Sequence, residues 1–371
     1  MKIVADDKIP FLHGVFEKYG IEIVYKKGSA IEHGDLVDAD ALIVRTRTCC
    51  NRELLHDTKV KVVCSATIGT DHVNISELEE LGIKFFSAPG CNAASVEQYI
   101  VCALLYLAEK YAFELHGKTV GIIGAGHVGS RVQQSCLKLG MNVLLNDPPR
   151  AEKEKNNIFV ELDELLAKSD FVTLHVPLDE NTEHLADENF FACMKKSAFF
   201  INSSRGSVCC NRTLKNVLLE KKIAGAVLDV WENEPQIDCE LQKLLELGTM
   251  HIAGYSADGK ANGTSQSVRN IANFFNISEL KNFSADIADT ENSKVLTLEG
   301  NNPQKVLSIA AKAAYDIGRD SRNLLEHPEN FEKLRGNYYC RREFHAWGVS
   351  AQGLDNKSVE LLKKMNFKIK E

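Results

Sequence analysis

The sequence predicts an α/β protein with two doubly wound parallel sheets and a smaller α+β region at the C-terminus. Three observations carry this. A chain of 371 residues is too long for one ordinary core and points to two or three domains. Short apolar runs alternate with amphipathic helical segments along most of it, the pattern of a parallel sheet covered by helices. One such run meets a helix through a glycine-rich turn, Gly124 to Gly129.

In chain order, strands are expected at Lys2–Ala5, Ile21–Tyr25, Ala41–Arg45 and Val60–Ser65. Asn92 suits a helix N-cap, and Val96, Ile100, Ala103, Leu104 and Leu107 follow at helical spacing, so a long helix opens a second domain. Lys118–Gly124 reads as a buried strand; Val128, Val132, Cys136 and Leu139 share the next helical face, which Gly140 ends. Strands at Asn142–Asn146, Phe171–Val176, Ser197–Ile201, Gly225–Val230 and Met250–Ile252 continue the series, with helices at Leu162–Ala167 and Thr213–Glu220 among those between them. A helix from about Thr264 to Phe275 returns the chain to the first domain. Beyond it, Lys294–Glu299 suits a strand, Pro303–Arg319 an Ala-rich helix, and the tail ends on a short strand-like run. The expected domains are 1–92 with 263–283, then 93–262, then 284–371.

Composition excludes several classes. Hydrophobic residues at 44% and charged residues at 26% fit a water-soluble globular chain, and no apolar run is long enough to span a membrane. The N-terminus lacks the pattern of a signal peptide, so a cytoplasmic location is expected. A net charge of −7 argues against general nucleic-acid binding. The 11 cysteines include no C-x-x-C pair and read as reduced thiols, with Cys64, Cys102 and Cys136 in apolar runs. No cluster has convincing metal-ligand spacing, so no metal is expected.

Gly124-Ala125-Gly126-His127-Val128-Gly129 is G-x-G-x-x-G between a strand and a helix, and Asp147 lies 18 residues after Gly129 at the end of the next strand. Together these form the dinucleotide fingerprint of a Rossmann-like domain. Gly124 permits the tight turn, Gly126 lets the backbone approach a pyrophosphate, and Gly129 lets helix and strand pack closely. The helix start at His127 and Val128 offers free N–H groups to the phosphates. The Asp147 carboxylate suits the adenosine ribose hydroxyls and favours NAD, although Arg150 nearby has the chemistry to pair with a 2′-phosphate.

Three residues downstream follow apolar strand-like runs: Arg205, Glu234 and His251. Oxidation of a 2-hydroxy acid removes the hydroxyl proton as the C2 hydride leaves for nicotinamide. Histidine suits the proton, a carboxylate fixes its tautomer, and arginine grips the substrate carboxylate. Asp229 suits either the nicotinamide carboxamide or the capping of a turn; His72, His127 and His175 read as structural or peripheral side chains.

The order GAGHVG, Asp147, INSSRGS, LDVWENEP, HIAGY resembles the D-2-hydroxyacid dehydrogenase family. ATIGTDHVN, APGCNAASVEQY, HIAGYSADGKANGTSQ and, in the tail, YDIGRD and FEKLRGNYYCRREF narrow the likeness to a branch with a C-terminal dimerisation domain. That branch acts on a 4-phosphorylated 2-hydroxy acid in pyridoxal 5′-phosphate (vitamin B6) biosynthesis. The resemblance implies NAD as cofactor and a homodimer. It makes Arg205, Glu234 and His251 catalytic, turns Asp147, Ser203, Ser204, Arg205, Asp229 and Gly254 toward NAD, and assigns Thr46, Thr67 and Tyr255 to substrate. Backbone N–H groups of Thr67–Thr70 would hold the carboxylate. Thr46, Val176, Asp258 and Asn262 depart from the residues usual there. For the phosphate, Arg45, Arg47, Lys260, Arg341 and Arg342 are candidates, with Arg45 contributing and the Arg341–Arg342 pair reaching in from a partner subunit. Two other readings stay open, a phosphoglycerate or glycerate dehydrogenase and an NAD-sensing binding protein.

Overall fold

The computed structural model describes residues 1–287 and 295–371. The chain forms two compact units: Met1–Asn92 with Ser256–Asp289, and Ala93–Tyr255 with Thr290–Glu371.

The first unit holds a five-stranded parallel sheet of β1 (Lys2–Asp6), β2 (Glu22–Lys26), β3 (Ala41–Val44), β4 (Val62–Ser65) and β5 (Lys84–Phe86), in the order β2-β1-β3-β4-β5. β3 and β4 are buried along their whole length, as apolar runs covered on both faces must be. The helix Ala257–Phe274 packs on this sheet through Val268, Ile271 and Ala272. It starts earlier than the apolar pattern suggests. Ser256 caps it by accepting the N–H of Gly259 at 2.7 Å, and its first turns hold Asp258, Gly259 and Gly263, which give no periodic apolar signal. The glycine at 263 has a packing reason: a Cβ there would lie 2.3 Å from the carbonyl oxygen of Ala66.

The second unit is built on a six-stranded parallel sheet: β6 (Thr119–Ile123), β7 (Asn142–Asn146), β8 (Phe171–Leu174), β9 (Phe199–Asn202), β10 (Gly225–Leu228) and β11 (Leu247–Gly248). Its order is β11-β10-β9-β8-β6-β7. The strand order reverses direction at β6, and ligands in such sheets bind beyond the carboxyl ends of the strands. Helix Ala93–Lys110 lies buried for most of its length against this core.

The last strand is displaced from its expected place. β11 ends at Gly248, and Met250–Ile252 is a turn, because Asp229 takes the N–H groups of Ile252 and Ala253 that a ladder would use. The expected strand Lys294–Glu299 is reduced to isolated bridges, Leu296 to Val349 and Gly300 to Leu354; Lys294 itself lies outside the described residues. The Ala-rich helix breaks in two, Pro303–Ala314 and Ile317–Glu326. Tyr315 between them is extended and fully buried, and Asp316 starts the second helix by accepting the N–H of Arg319 at 3.0 Å. A parallel pair, β12 (Gly348–Ser350) and β13 (Lys368–Lys370), with helix Asn356–Lys364 completes the C-terminal α+β region.

The eleven cysteines are all free thiols. Burial pushes those of Cys102 and Cys136 up to about 12. Among the described residues no helix is long and apolar enough to cross a membrane.

Candidate active site

β6 runs into the glycine turn. Gly124 sits at φ +87, where a Cβ would lie 2.7 Å from the carbonyl carbon and oxygen of His175. At Gly129 a Cβ would lie 2.0 Å from the carbonyl oxygen of Gly124, so strand and helix touch through it. Gly126 faces open space, with nothing within 4 Å of a Cβ. It is also the N-cap of helix His127–Lys138 and offers no side-chain cap, which leaves the first helical N–H groups to a ligand.

Asp147 stands at the end of β7 and caps helix Pro148–Glu154. Its carboxylate accepts the N–H of Arg150 at 3.1 Å and, across the turn, that of Ala125 at 2.8 Å. Arg150 is held by the chain's own acceptors: Nε donates to Glu154 at 2.6 Å and Nη1 to the Ala125 carbonyl, with the guanidinium over Phe159. A carboxylate in place and an arginine already engaged suit a ribose hydroxyl better than a 2′-phosphate. After β9, the hydroxyl oxygen of Ser203 is buried without a protein partner, while Ser204 is tied to Asn202 by both N–H and hydroxyl. The open cradle at Gly126 and the orphaned Ser203 hydroxyl fit NAD.

The three expected catalytic residues hang beyond the neighbouring strands β9, β10 and β11. Arg205 follows β9; its Nη1 donates to the Ser204 carbonyl at 2.9 Å, and its own carbonyl accepts from Asn202 Nδ2 at 2.9 Å. Gly206 presses this loop onto the segment leading to Glu234, for a Cβ there would lie 2.0 Å from the Trp231 carbonyl oxygen. Glu234 and His251 are brought together directly, with His251 Nδ1 2.8 Å from Glu234 Oε2. The other carboxylate oxygen accepts the Trp231 N–H at 2.9 Å. Burial pushes the Glu234 carboxyl up, but the hydrogen bond and charge of His251, the Trp231 N–H and the nearby charge of Arg335 outweigh it and hold it below the ordinary range. Glu234 is thus an anion at neutral pH that fixes one nitrogen of the imidazole and leaves Nε2 for a proton.

His251 adopts φ +57, a left-handed conformation unusual for a side-chain-bearing residue. The surrounding network holds it there. Its N–H donates to the Asp229 carbonyl at 2.7 Å. The buried Asp229 carboxylate accepts from Thr249 Oγ1 at 2.6 Å and from the N–H groups of Ile252 and Ala253 at 2.8 Å each. Thr249 Oγ1 also meets Tyr99 Oη at 2.8 Å. Of the two roles open to Asp229, the turn cap is the one these bonds build.

The C-terminal region holds the other side of that turn. Arg341 is 2% exposed. It donates to the carbonyls of Ile252 (3.0 Å), Ala253 (2.6 Å), Tyr255 (3.3 Å) and Ser95 (3.2 Å) and to Gln98 Oε1 (3.0 Å), with its guanidinium 4.0 Å from the Tyr315 ring centroid. The expectation that Arg341 reaches a phosphate from a partner subunit is therefore corrected: it is buried against its own chain. Sequence alone gives no sign of this, because its partners are main-chain carbonyls about 90 and 250 positions earlier. Gly254 lies between two residues so held, and Tyr255 packs near Tyr338, ring centroids 6.3 Å apart.

In the first unit, Thr67 Oγ1 meets Ser65 Oγ at 2.9 Å beyond β4, and Thr46 is exposed beyond β3. Arg45 makes a two-point bond to the buried Asp6 carboxylate, from Nε at 3.1 Å and Nη2 at 3.0 Å. Asn262 donates to the Cys91 carbonyl at 3.2 Å. His175 has its pKa held at about 3 by burial and hydrogen-bonds Thr173 at 3.1 Å. Among the described residues, His184, Cys210 and Glu232 place possible metal-ligating atoms within 4.8 Å of one another. There Glu232 already serves His184 Nε2 at 2.6 Å and the Asn211 N–H at 2.6 Å.

Comparison with known proteins agrees with this geometry. The model of the D-isomer specific 2-hydroxyacid dehydrogenase NAD-binding domain matches residues 106–256, and a domain of unknown function matches 289–365. Erythronate-4-phosphate dehydrogenase of Bacteroides thetaiotaomicron is 44% identical over 94% of this chain and 99% of its own. That of Escherichia coli O127:H6 is 40% identical over 99% of this chain and 98% of its own. Among solved structures, D-lactate dehydrogenase from Aquifex aeolicus, complexed with NAD and lactic acid, is 25% identical over 78% of this chain and all of its own, with a TM-score of 0.63. The NAD-bound 3-phosphoglycerate dehydrogenase of Entamoeba histolytica shares the fold, with a TM-score of 0.65 at 23% identity over 77% of this chain and 99% of its own. The fingerprint, the His–Glu pair and near full-length relatives lead to one conclusion: the chain belongs to the D-isomer specific 2-hydroxyacid dehydrogenase family, among its erythronate-4-phosphate dehydrogenases.

Proposed function

We propose that this enzyme oxidises 4-phospho-D-erythronate with NAD to 2-oxo-3-hydroxy-4-phosphobutanoate, a step in the synthesis of pyridoxal 5′-phosphate. The observation that carries the reading is the 2.8 Å pair of His251 Nδ1 and Glu234 Oε2 beyond adjacent strands, in a chain whose near full-length relatives bear that enzyme's name.

NAD, when bound, accepts the hydride that leaves C2. His251 Nε2 takes the C2 hydroxyl proton as the carbonyl forms, and Glu234 stabilises the imidazolium that results. Arg205 grips the carboxylate and polarises the developing carbonyl. Asp147, Ser203, Ser204, Gly254 and the N–H groups of His127 and Val128 hold the cofactor; Asp229 orients its nicotinamide end through the turn it caps. Thr46, Thr67 and Tyr255 bind substrate. The protein works in the cytoplasm as a homodimer joined by its C-terminal region.

NADH formation with 4-phospho-D-erythronate and, separately, 3-phosphoglycerate tests this, with a 2-oxo acid added in parallel in case NADH is retained. Preference for the first is expected. Preference for 3-phosphoglycerate would keep the chemistry and change the substrate.

A further inference from the structure

Arg335 belongs to no group singled out by sequence, yet it lies beside the expected active-site residues. It sits in the last turn of helix Phe331–Gly336, which the C-terminal region lays against the NAD-binding unit. Phe331 is buried there in the same cluster as Trp231, Met250 and Ile252. The Arg335 guanidinium carbon stands 5.7 Å from the centroid of the Tyr255 ring, and its charge helps hold Glu234 ionised.

This cation is poorly satisfied. Its side chain is only 15% exposed, and its Nε is buried with no hydrogen-bond partner. The carboxylate it pairs with, Glu332, is 3.9 Å away, beyond hydrogen-bonding distance. Arg341, six positions on, shows the contrast: equally part of the C-terminal region, it is satisfied by main-chain carbonyls. An Nε–H withdrawn from water without an acceptor is costly unless a ligand supplies one. The planar guanidinium fork matches a phosphate or carboxylate in two-point fashion.

We infer that Arg335 binds the terminal phosphate of the substrate, so that the C-terminal region supplies the specificity for a phosphorylated acid. This rests on the proposed reaction, in which Arg205 holds the carboxylate at C1 and leaves a second anion at C4 in need of a cation. Arg335 offers it from the side of Tyr255 and Glu234. The same arginine that selects the phosphate also packs over the ring of Tyr255, one of the residues assigned to substrate.

The test uses the full-length enzyme, wild type against Arg335→Gln and Arg335→Lys, with melting curves to verify folding. Two readouts are taken: equilibrium binding of 4-phospho-D-erythronate in the presence of NADH, and turnover of that acid and of unphosphorylated D-erythronate. In Arg335→Gln, binding of the phosphorylated acid should weaken ~10- to 100-fold and its KM should rise in step, while kcat/KM for D-erythronate should fall by a much smaller factor, the part owed to lost support of Tyr255 and Glu234. Arg335→Lys should recover part of the loss. Unchanged binding in Arg335→Gln, or an equal loss for both acids, would overturn the assignment and leave the catalytic reading intact. Arg335-dependent binding of 4-phospho-D-erythronate without its oxidation by wild type would sink the catalytic reading and uphold the phosphate site. If wild type binds none, both fall.

Discussion

The Nη2 of Arg341 donates to the carbonyl of Ala253 at 2.6 Å, joining the C-terminal region to a residue 88 positions earlier, two after His251. The same guanidinium reaches the carbonyls on either side of Ala253–Gly254, so the tail braces the turn that carries the His251 imidazole. Removing it leaves several buried carbonyls without donors. Arg341→Leu should cost about 3–5 kcal/mol of stability. Arg341→Lys should recover only part, since one ammonium cannot serve five acceptors arranged around a plane. Urea melts of the three proteins check this; equal midpoints would refute the brace.

The glycines of the turn should separate folding from cofactor binding. A Cβ at 129 meets the Gly124 carbonyl oxygen at 2.0 Å, whereas at 126 it meets nothing within 4 Å. Gly129→Ala should destabilise the fold by about 1–3 kcal/mol. Gly126→Ala should fold normally and lose NADH affinity by roughly tenfold or more, because its methyl group would occupy space a pyrophosphate needs. Melting curves and NADH fluorescence titrations of the pair read the two effects independently.

Glu234 is held ionised by His251, and its loss should appear in rate before stability. Glu234→Gln keeps the shape and removes the charge that favours the imidazolium. kcat/KM should fall roughly 10²- to 10³-fold with KM changing less. Because the folded-state pKa is depressed, the pair also lends stability that is present above the ordinary carboxylate range and is lost as pH falls through the lower folded value. Comparing acid melts of wild type and Glu234→Gln should show the wild-type advantage shrinking below about pH 4.5.

His175 gives an opposite case, a histidine kept neutral by burial. Its folded pKa of about 3 lies below the ordinary value of 6.5. Between those values the unfolded chain binds a proton that the folded chain does not, so stability falls as pH drops from about 6.5 toward 3. Between pH 6.5 and 4.5 this should amount to about 2–3 kcal/mol, and His175→Asn should flatten that part of the stability curve. A parallel dependence in the variant would assign the slope elsewhere.

The glycine turn was legible in the sequence because it is local: Gly124, Gly126, Gly129 and Asp147 occupy one strand–turn–helix–strand stretch, and their spacing forms the fingerprint. The pairing of Glu234 with His251 was foreshadowed by residue type and position after apolar runs, although the two are 17 positions apart. The turn at 250–252 was read as a strand because Met250 and Ile252 are buried apolar residues; what bends it is a carboxylate more than 20 positions earlier, Asp229. β5 was missed because three residues, Lys84–Phe86, give too short an alternation to stand out. Arg335 and the true position of Arg341 were illegible, since both depend on how the C-terminal region docks, and a basic residue in a polar tail carries no periodic signal.

Proton transfer through His251 is read by steady-state NADH formation from 4-phospho-D-erythronate, wild type against His251→Asn, with NAD saturating and a 2-oxo acid present to recycle any retained NADH. Turnover by the wild type and a loss of at least ~10³-fold in kcat by the variant are expected, with NADH binding unchanged. A variant that retains kcat within about tenfold of wild type would contradict this, because proton removal at that rate would then need another group.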